Sequence, residues 1–352
     1  MKKGSMRTFI LVLCCSAIVF AAVARTVADK PAVDVRFEFQ DNVVSLHEPV
    51  VVLFKVHNGL SQPITVKVGA LVRQYFDLSL TTPSGQVLHK EPFEGLVDIV
   101  TSGNGTVEVR PGDDYKEPLV MNKWFPFAAQ GTYTLTSRLT SDIETPDGSF
   151  QAESHTAQLR ITPRDPARLH KICEELEKQA EGATTVEAAQ YPVRALSYVE
   201  DPIAVPYLAR LLSSHALLSD AAVAGLARIG NDAAIEVLLS ALNDSWGNID
   251  DAATRSLAQL QDRITDPRLK ETVQKAVQRK SERTRNEAIK AQIAYLDYRD
   301  PDLQHTAIQT LTQMNALEQA APVLQRLAND PNQPPNVVAD AKAALQRIRP
   351  QQ

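Results

Sequence analysis

The chain has 352 residues, 44% hydrophobic and 22% charged, with 37 Lys and Arg against 42 Asp and Glu, a net charge of −5. That length accommodates two domains with sizeable cores. The acidic balance argues against general nucleic-acid binding, which needs cations to neutralise phosphate.

The first stretch reads as a secretory leader. Lys2, Lys3 and Arg7 precede an apolar run from Phe9 to Ala24, and Ala22-Val23-Ala24 offers small residues at a cleavage site. A signal peptide over 1–24 makes the protein exported, to the periplasm or the extracellular space. Its removal leaves 34 cationic against 42 anionic side chains, a net of −8. The run falls short of the roughly 20 residues a spanning helix needs, although an uncleaved anchor stays open. Leu13 precedes Cys14 where a lipid-attachment site wants a small residue, which argues against lipoprotein anchoring. No other apolar stretch is long enough to span, so the mature chain is expected to have no membrane span. Cys173 then stands alone, which rules out an internal disulfide, and its helical spacing with Leu169 and Leu176 marks it as a buried small residue.

Residues 30–163 carry strand signals. Val33, Val35, Phe37 and Phe39 alternate with Asp34, Arg36 and Glu38; Ile64, Val66 and Val68 alternate with Thr65 and Lys67; Phe76, Leu78 and Leu80 alternate with Asp77 and Ser79. Period-two patterning with one apolar face predicts half-buried strands. Asn58-Gly59, Pro83-Ser84-Gly85, Asn104-Gly105, Pro111-Gly112 and Asp147-Gly148 supply the turns between them. Eight or nine short strands with no helices between them predict an antiparallel β-sandwich of immunoglobulin type. Tyr133 is placed to tie its hydroxyl to backbone at a sheet corner, and residues 141–149 form an exposed hairpin tip. Trp124-Phe125-Pro126-Phe127 is expected to cover an open edge or end of the sandwich, a binding loop being the alternative. His47 and Glu48, read as adjacent strand positions, point to opposite faces and so do not share a metal ion.

Glu48-Pro49-Val50 leading to Val56-His57-Asn58 resembles the second strand of bacterial immunoglobulin-like domains. Gln74-Tyr75-Phe76-Asp77, Pro83-Ser84-Gly85, Arg110-Pro111-Gly112 and Gly131-Thr132-Tyr133 resemble the bacterial intracellular proteinase-inhibitor domain. The likeness covers about 80 residues of turn and core positions, and it implies a sandwich more than it implies inhibition.

At Ile161-Thr162-Pro163 the pattern changes from period 2 to period 3.6, and residues 165–350 become rich in alanine and leucine. Pro163-Arg164-Asp165-Pro166 is a short, stiff hinge. Asp-Pro recurs at 165, 201, 266, 300 and 330, and Asn231-Asp232 fills the widest gap. Asp caps a helix by accepting orphan amides, and Pro at the next position lacks an N–H that would have gone unpaired. Ser-Asp-Ala-Ala at 219–222 matches Asp-Asp-Ala-Ala at 250–253, and Leu226 falls on Leu257, 31 residues later. A period near 30 with paired helices is the signature of a stacked repeat. These residues resemble HEAT repeats, especially the short alanine-rich type of phycobilisome lyases, and the resemblance implies an α-solenoid of about eleven helices. The register slips between 260 and 300, which predicts a kink or a longer helix there.

Nine basic residues crowd Arg263–Lys290, diluted by five acidic ones from Asp262 to Glu287. Arg279, Lys280, Arg283 and Arg285 are the candidate binding residues, for an acidic partner surface or a polyanion; a solvated, salt-bridged helix face is the plainer reading. Motifs for catalysis are missing: there is no nucleophile elbow, phosphate-binding glycine loop, Cys-x-x-Cys or His-Glu-x-x-His. His170, His215 and His305 stand alone in separate helices, and no cofactor or metal is expected. The sequence therefore points to an exported, non-catalytic scaffold or adaptor of the bacterial envelope that binds another protein. Its alternatives are a protease inhibitor acting through a sandwich loop and, after that, a lyase-like enzyme.

Overall fold

The structure, a computed structural model, describes residues 32–68, 75–90, 106–214, 218–242 and 247–348. The leader at 1–24, Gln74, Asn104-Gly105 and His215 lie outside the described residues. The chain divides into two compact units, one ending at Ile229 and the other beginning at Gly230.

The first unit opens with strands β1 (Val33–Phe39), β2 (Val43–Ser45), β3 (Val51–Asn58), β4 (Ile64–Lys67), β5 (Phe76–Thr81), β6 (Val87–His89), β7 (Thr106–Val109), β8 (Asp114–Val120), β9 (Gly131–Leu139), β10 (Ile143–Thr145), β11 (Gly148–Phe150) and β12 (His155–Thr162). These are more than the eight or nine expected. The additions are three-residue strands such as β2, β6, β10 and β11, too short to show an alternation.

Among the described residues the strands form three sheets, in the orders β1-β3-β8, β11-β10-β4-β7 and β2-β12-β9-β5-β6. Their pairings are antiparallel with one departure: β2 runs parallel to β12, with Val43 opposite Arg160. Alternation does the sorting. Along β3, Val52, Phe54 and Val56 are fully buried, whereas His57 is exposed. The inward residues of all three sheets share one core, in which Phe37 and Phe54 meet Ile64, Ile143, Leu135 and Leu159. The rings of Phe37, Phe54 and Phe76 pack with centroids 4.9–5.4 Å apart. The Tyr133 hydroxyl donates to the Ala129 carbonyl at 3.0 Å and accepts from the Ala129 N–H at 3.1 Å, the backbone tie expected of it.

Ten α-helices follow among the described residues: α1 (Pro166–Glu181), α2 (Val186–Ser197), α3 (Val205–Ser214) and α4 (Ser219–Ile229) in the first unit, then α5 (Asp232–Ala241), α6 (Gly247–Leu260), α7 (Pro267–Tyr295), α8 (Pro301–Gln313), α9 (Leu317–Asn329) and α10 (Pro335–Ile348) in the second. Asp165, Asp266 and Asp300 cap α1, α7 and α8 through their carboxylates, with Pro next, and Asn231 caps α5. Asp201 caps a single 3-10 turn ahead of α3. Asp330-Pro331 starts no helix: Asp330 accepts from the Asn332 N–H at 2.9 Å in a turn, and α10 begins only at Pro335. No helix among the described residues is long and apolar enough to cross a membrane.

Small residues bring the helices together. Ala222, Ala253, Ala307 and Ala341 are fully buried. A Cβ added at Gly225 of α4 would sit 2.9 Å from both the Cα and the carbonyl oxygen of Ser197, at the end of α2. Because those atoms are backbone, they cannot turn aside. Gly225→Val is expected to cost about 1–3 kcal/mol by overpacking. Urea unfolding of the full chain checks this; an unchanged midpoint would show that α2 and α4 do not approach so closely.

Candidate functional site

The basic segment singled out from the sequence falls on α7, apart from Arg263, which lies in a 3-10 turn ahead of it. Asp266 accepts from the Arg268 N–H at 2.8 Å and starts the helix with Pro267 at its first position. It runs 29 residues, the longer helix expected where the repeat register slips, yet its fully buried side chains are Val273 and Ile289. At 1.5 Å per residue it is about 43 Å long. A helix so polar around its circumference holds through side-chain pairs along its own surface. Lys275 meets Glu271 at 2.5 Å, Gln278 donates to Glu282 at 2.9 Å, and Arg283 meets Glu287 at 2.8 Å. Ile289 anchors the C-terminal end in a core shared with Leu311, Leu324 and Ala341 of the following helices.

The four residues proposed from the sequence separate. Arg279 is exposed and makes no ion pair among the described residues. Arg283 is 74% exposed and paired along the helix with Glu287. Lys280 is turned inward: it is 15% exposed and ion-paired with Asp250 of α6, itself 11% exposed. Arg285 donates to the Met314 carbonyl at 2.7 Å, at the C-terminal end of α8. Lys280 and Arg285 are therefore committed to holding helices, and charge reversal at Lys280 would strand the Asp250 carboxylate.

At 100° per residue, Arg268, Lys275, Arg279, Arg283 and Lys290 fall within an arc of about 80°. Thr272 and Asn286 complete that arc between 268 and 290, and all seven are exposed. Counting charge in a window misses this set; the spacing of seven, four, four and seven residues reveals it.

A second feature lies in the first unit, where strands meet helices. Arg168 of α1 brings its Nε to 2.7 Å from the Glu48 carboxylate and donates from Nη2 to the Val43 carbonyl at 3.0 Å. The Nε–H does not point along its contact, so the Glu48 pair is a charge contact and not an aligned hydrogen bond. Ser45 Oγ donates to Glu48 at 2.6 Å. Arg164 grips Asp201 with both arms, at 2.5 and 3.0 Å. Burial opposes ionisation of Asp201, but the Arg164 bonds and the Ile203 N–H hold its carboxyl below the usual range. Burial raises Glu117 on β8, against the Tyr115 hydroxyl and the Arg194 charge. Burial also pushes the Cys173 thiol up to about 12, as suits an inert packing residue.

A cleft of about 410 Å³ opens at this junction, lined by His47, Trp124, Phe127, Tyr198 and Glu200 among others. His47 and Glu48 lie in a turn and not on a strand, with His47 at φ 75°. Glu48 is 3% exposed and already paired. Phe125 is buried in the strand core, and Trp124 and Phe127 pack partly against it.

Residues 220–244 match the family model of the PBS lyase HEAT-like repeat. That match supports a HEAT-like repeat over these residues, and a lyase-like role is as compatible with it as a scaffold. No curated protein matches the chain. Among solved structures, the alkylpurine DNA glycosylase AlkC of Pseudomonas fluorescens, bound to DNA containing an abasic site analog, is similar at 10% identity over 38% of this chain and 31% of that one, with a TM-score of 0.21. An engineered protein is similar at 21% identity over 51% of this chain and 86% of that one, with a TM-score of 0.22. Astrotactin-2, a vertebrate-specific perforin-like membrane protein, is similar at 12% identity over 63% of this chain and 39% of that one, with a TM-score of 0.21. This chain thus spans about a third of the glycosylase and two fifths of astrotactin-2. Likenesses at these scores carry no argument about fold or function.

Proposed function

We propose that the protein is an exported, non-catalytic scaffold or adaptor of the bacterial cell envelope, which holds another protein on its helical surface. In this reading the strands form an immunoglobulin-like sandwich and the helices a HEAT-like solenoid whose stacked pairs offer a long contact surface. The observation that carries the reading is α7: a helix of 29 residues with two fully buried side chains gives most of its surface to solvent. The repeat match at 220–244 is compatible with a scaffold. The charged, apolar and small-residue order of residues 1–24 supports export.

The test uses the full chain with its leader, expressed in a bacterial host with a C-terminal tag. The expected results are N-terminal processing, recovery from the envelope fraction and saturable retention of one partner protein. An unprocessed cytoplasmic chain would overturn the export reading. Turnover of an envelope substrate, abolished by one substitution, would overturn the scaffold reading.

A further inference from the structure

We infer that the outer arc of α7 is a docking rail for an acidic α-helical segment of a partner protein. The inference rests on the scaffold reading and names the chemistry of what is held.

Three features select that occupant. The first is shape. Arg268, Lys275, Arg279, Arg283 and Lys290 lie in one narrow line about 33 Å long, from the rise per residue. A line of cations matches a rod of carboxylates at helical spacing. The intervals of seven, four, four and seven residues read the same from either end, so a partner helix fits in parallel or antiparallel.

The second is what flanks the line. On the helical wheel Glu271 and Glu282 border the arc on one side and Glu287 on the other. A broad anionic surface, whether a lipid bilayer or a nucleic-acid duplex, would bring its charge against these carboxylates as well as the cations. A narrow acidic helix with basic flanks of its own is matched on all three strips, which is how charged positions beside a helical seam select partners.

The third is the lack of an apolar anchor. Between 268 and 290 the arc holds the five cations, Thr272 and Asn286. Surface-binding amphipathic helices insert apolar side chains below the headgroups, and none is available in this arc. The cations are free to be recruited. Arg268, Arg279 and Lys290 have no ion pair among the described residues, and the Lys275 and Arg283 pairs are exposed contacts along one helix, at 61% and 74% side-chain exposure. Such pairs are held weakly and exchange easily for a better-placed carboxylate.

The probe is an alanine-based helical peptide of about 24 residues, the length of the line, with five glutamates at the rail's own spacing. Its control is an isomer with the same glutamates distributed around the helix. Binding to the full chain is measured by fluorescence anisotropy at several salt concentrations, beside vesicles of phosphatidylserine and phosphatidylcholine and a short DNA duplex. The aligned peptide is expected to bind with an affinity that falls as salt rises, and the isomer to bind at least about tenfold more weakly. Substituting Arg268, Lys275, Arg279, Arg283 and Lys290 by Gln should abolish binding with the circular dichroism spectrum unchanged. A second variant, changing Arg268, Arg279 and Lys290 alone, leaves the helix's internal pairs intact and should weaken binding in the same direction. Equal binding of peptide and isomer, unchanged binding by both variants, or tighter retention of vesicles or duplex than of the aligned peptide would overturn the rail. A natural partner still captured equally by the five-fold variant would also overturn the rail while leaving the scaffold standing; failure to capture any partner would remove the scaffold itself.

Discussion

Phe54→Ala is expected to destabilise the strand region by about 3–5 kcal/mol, the range for deleting a fully buried aromatic side chain. Phe54 is 0% exposed at the centre of β3. Its ring touches Phe37 at 5.0 Å, Phe76 at 4.9 Å and Tyr115 at 6.1 Å between centroids. Those contacts come from three other strands, so the cavity has no single neighbour able to fill it. Phe150, at 37% exposure, is the control: Phe150→Ala should stay within about 0.5 kcal/mol. Urea unfolding followed by hydrogen exchange in β1 and β3 resolves the two. A loss below about 1 kcal/mol at Phe54 would mean that the sheets do not share a core around it.

The second large effect is at the strand–helix junction of the first unit. Arg168→Ala is expected to cost about 3 kcal/mol, because it leaves the Glu48 carboxylate buried with the Ser45 hydroxyl as its remaining partner. The figure sits at the low end for a broken buried pair because Arg168 is 38% exposed and water screens part of the interaction. The charge, and not the lost packing, is the cause. Glu48→Gln in the Arg168→Ala background should therefore recover more than half of the loss. If the double substitution is as unstable as the single one, the junction depends on the arginine's stem and not on its charge.

What the sequence revealed was what is local. The alternation in β1, β4 and β5 and the caps at Asp165, Asp266 and Asp300 depend on residues within a turn or two of one another, and each was readable. The parallel pairing of Val43 with Arg160 joins positions far apart in the chain, and no local pattern carries it. Asp330-Pro331 looked like its four counterparts, yet a cap needs a helix to follow, and Asn332 to Pro334 prolong the turn. The sequence pattern puts His47 and Glu48 in phase with a strand, whereas a left-handed residue at 47 breaks that phase. At the candidate site the basic segment was visible as charge. Its division into an outer line and the inward Lys280 and Arg285 was not, because that depends on where Asp250 and Met314 arrive from neighbouring helices.

Hydrogen-exchange mass spectrometry of the full chain, with and without its captured partner, tests the central claim most directly. A scaffold that works through the exposed face of α7 predicts added protection concentrated in residues 267–290, with the strand loops unchanged. Protection confined to the strand region, or to the cleft around Trp124 and Tyr198, would contradict it.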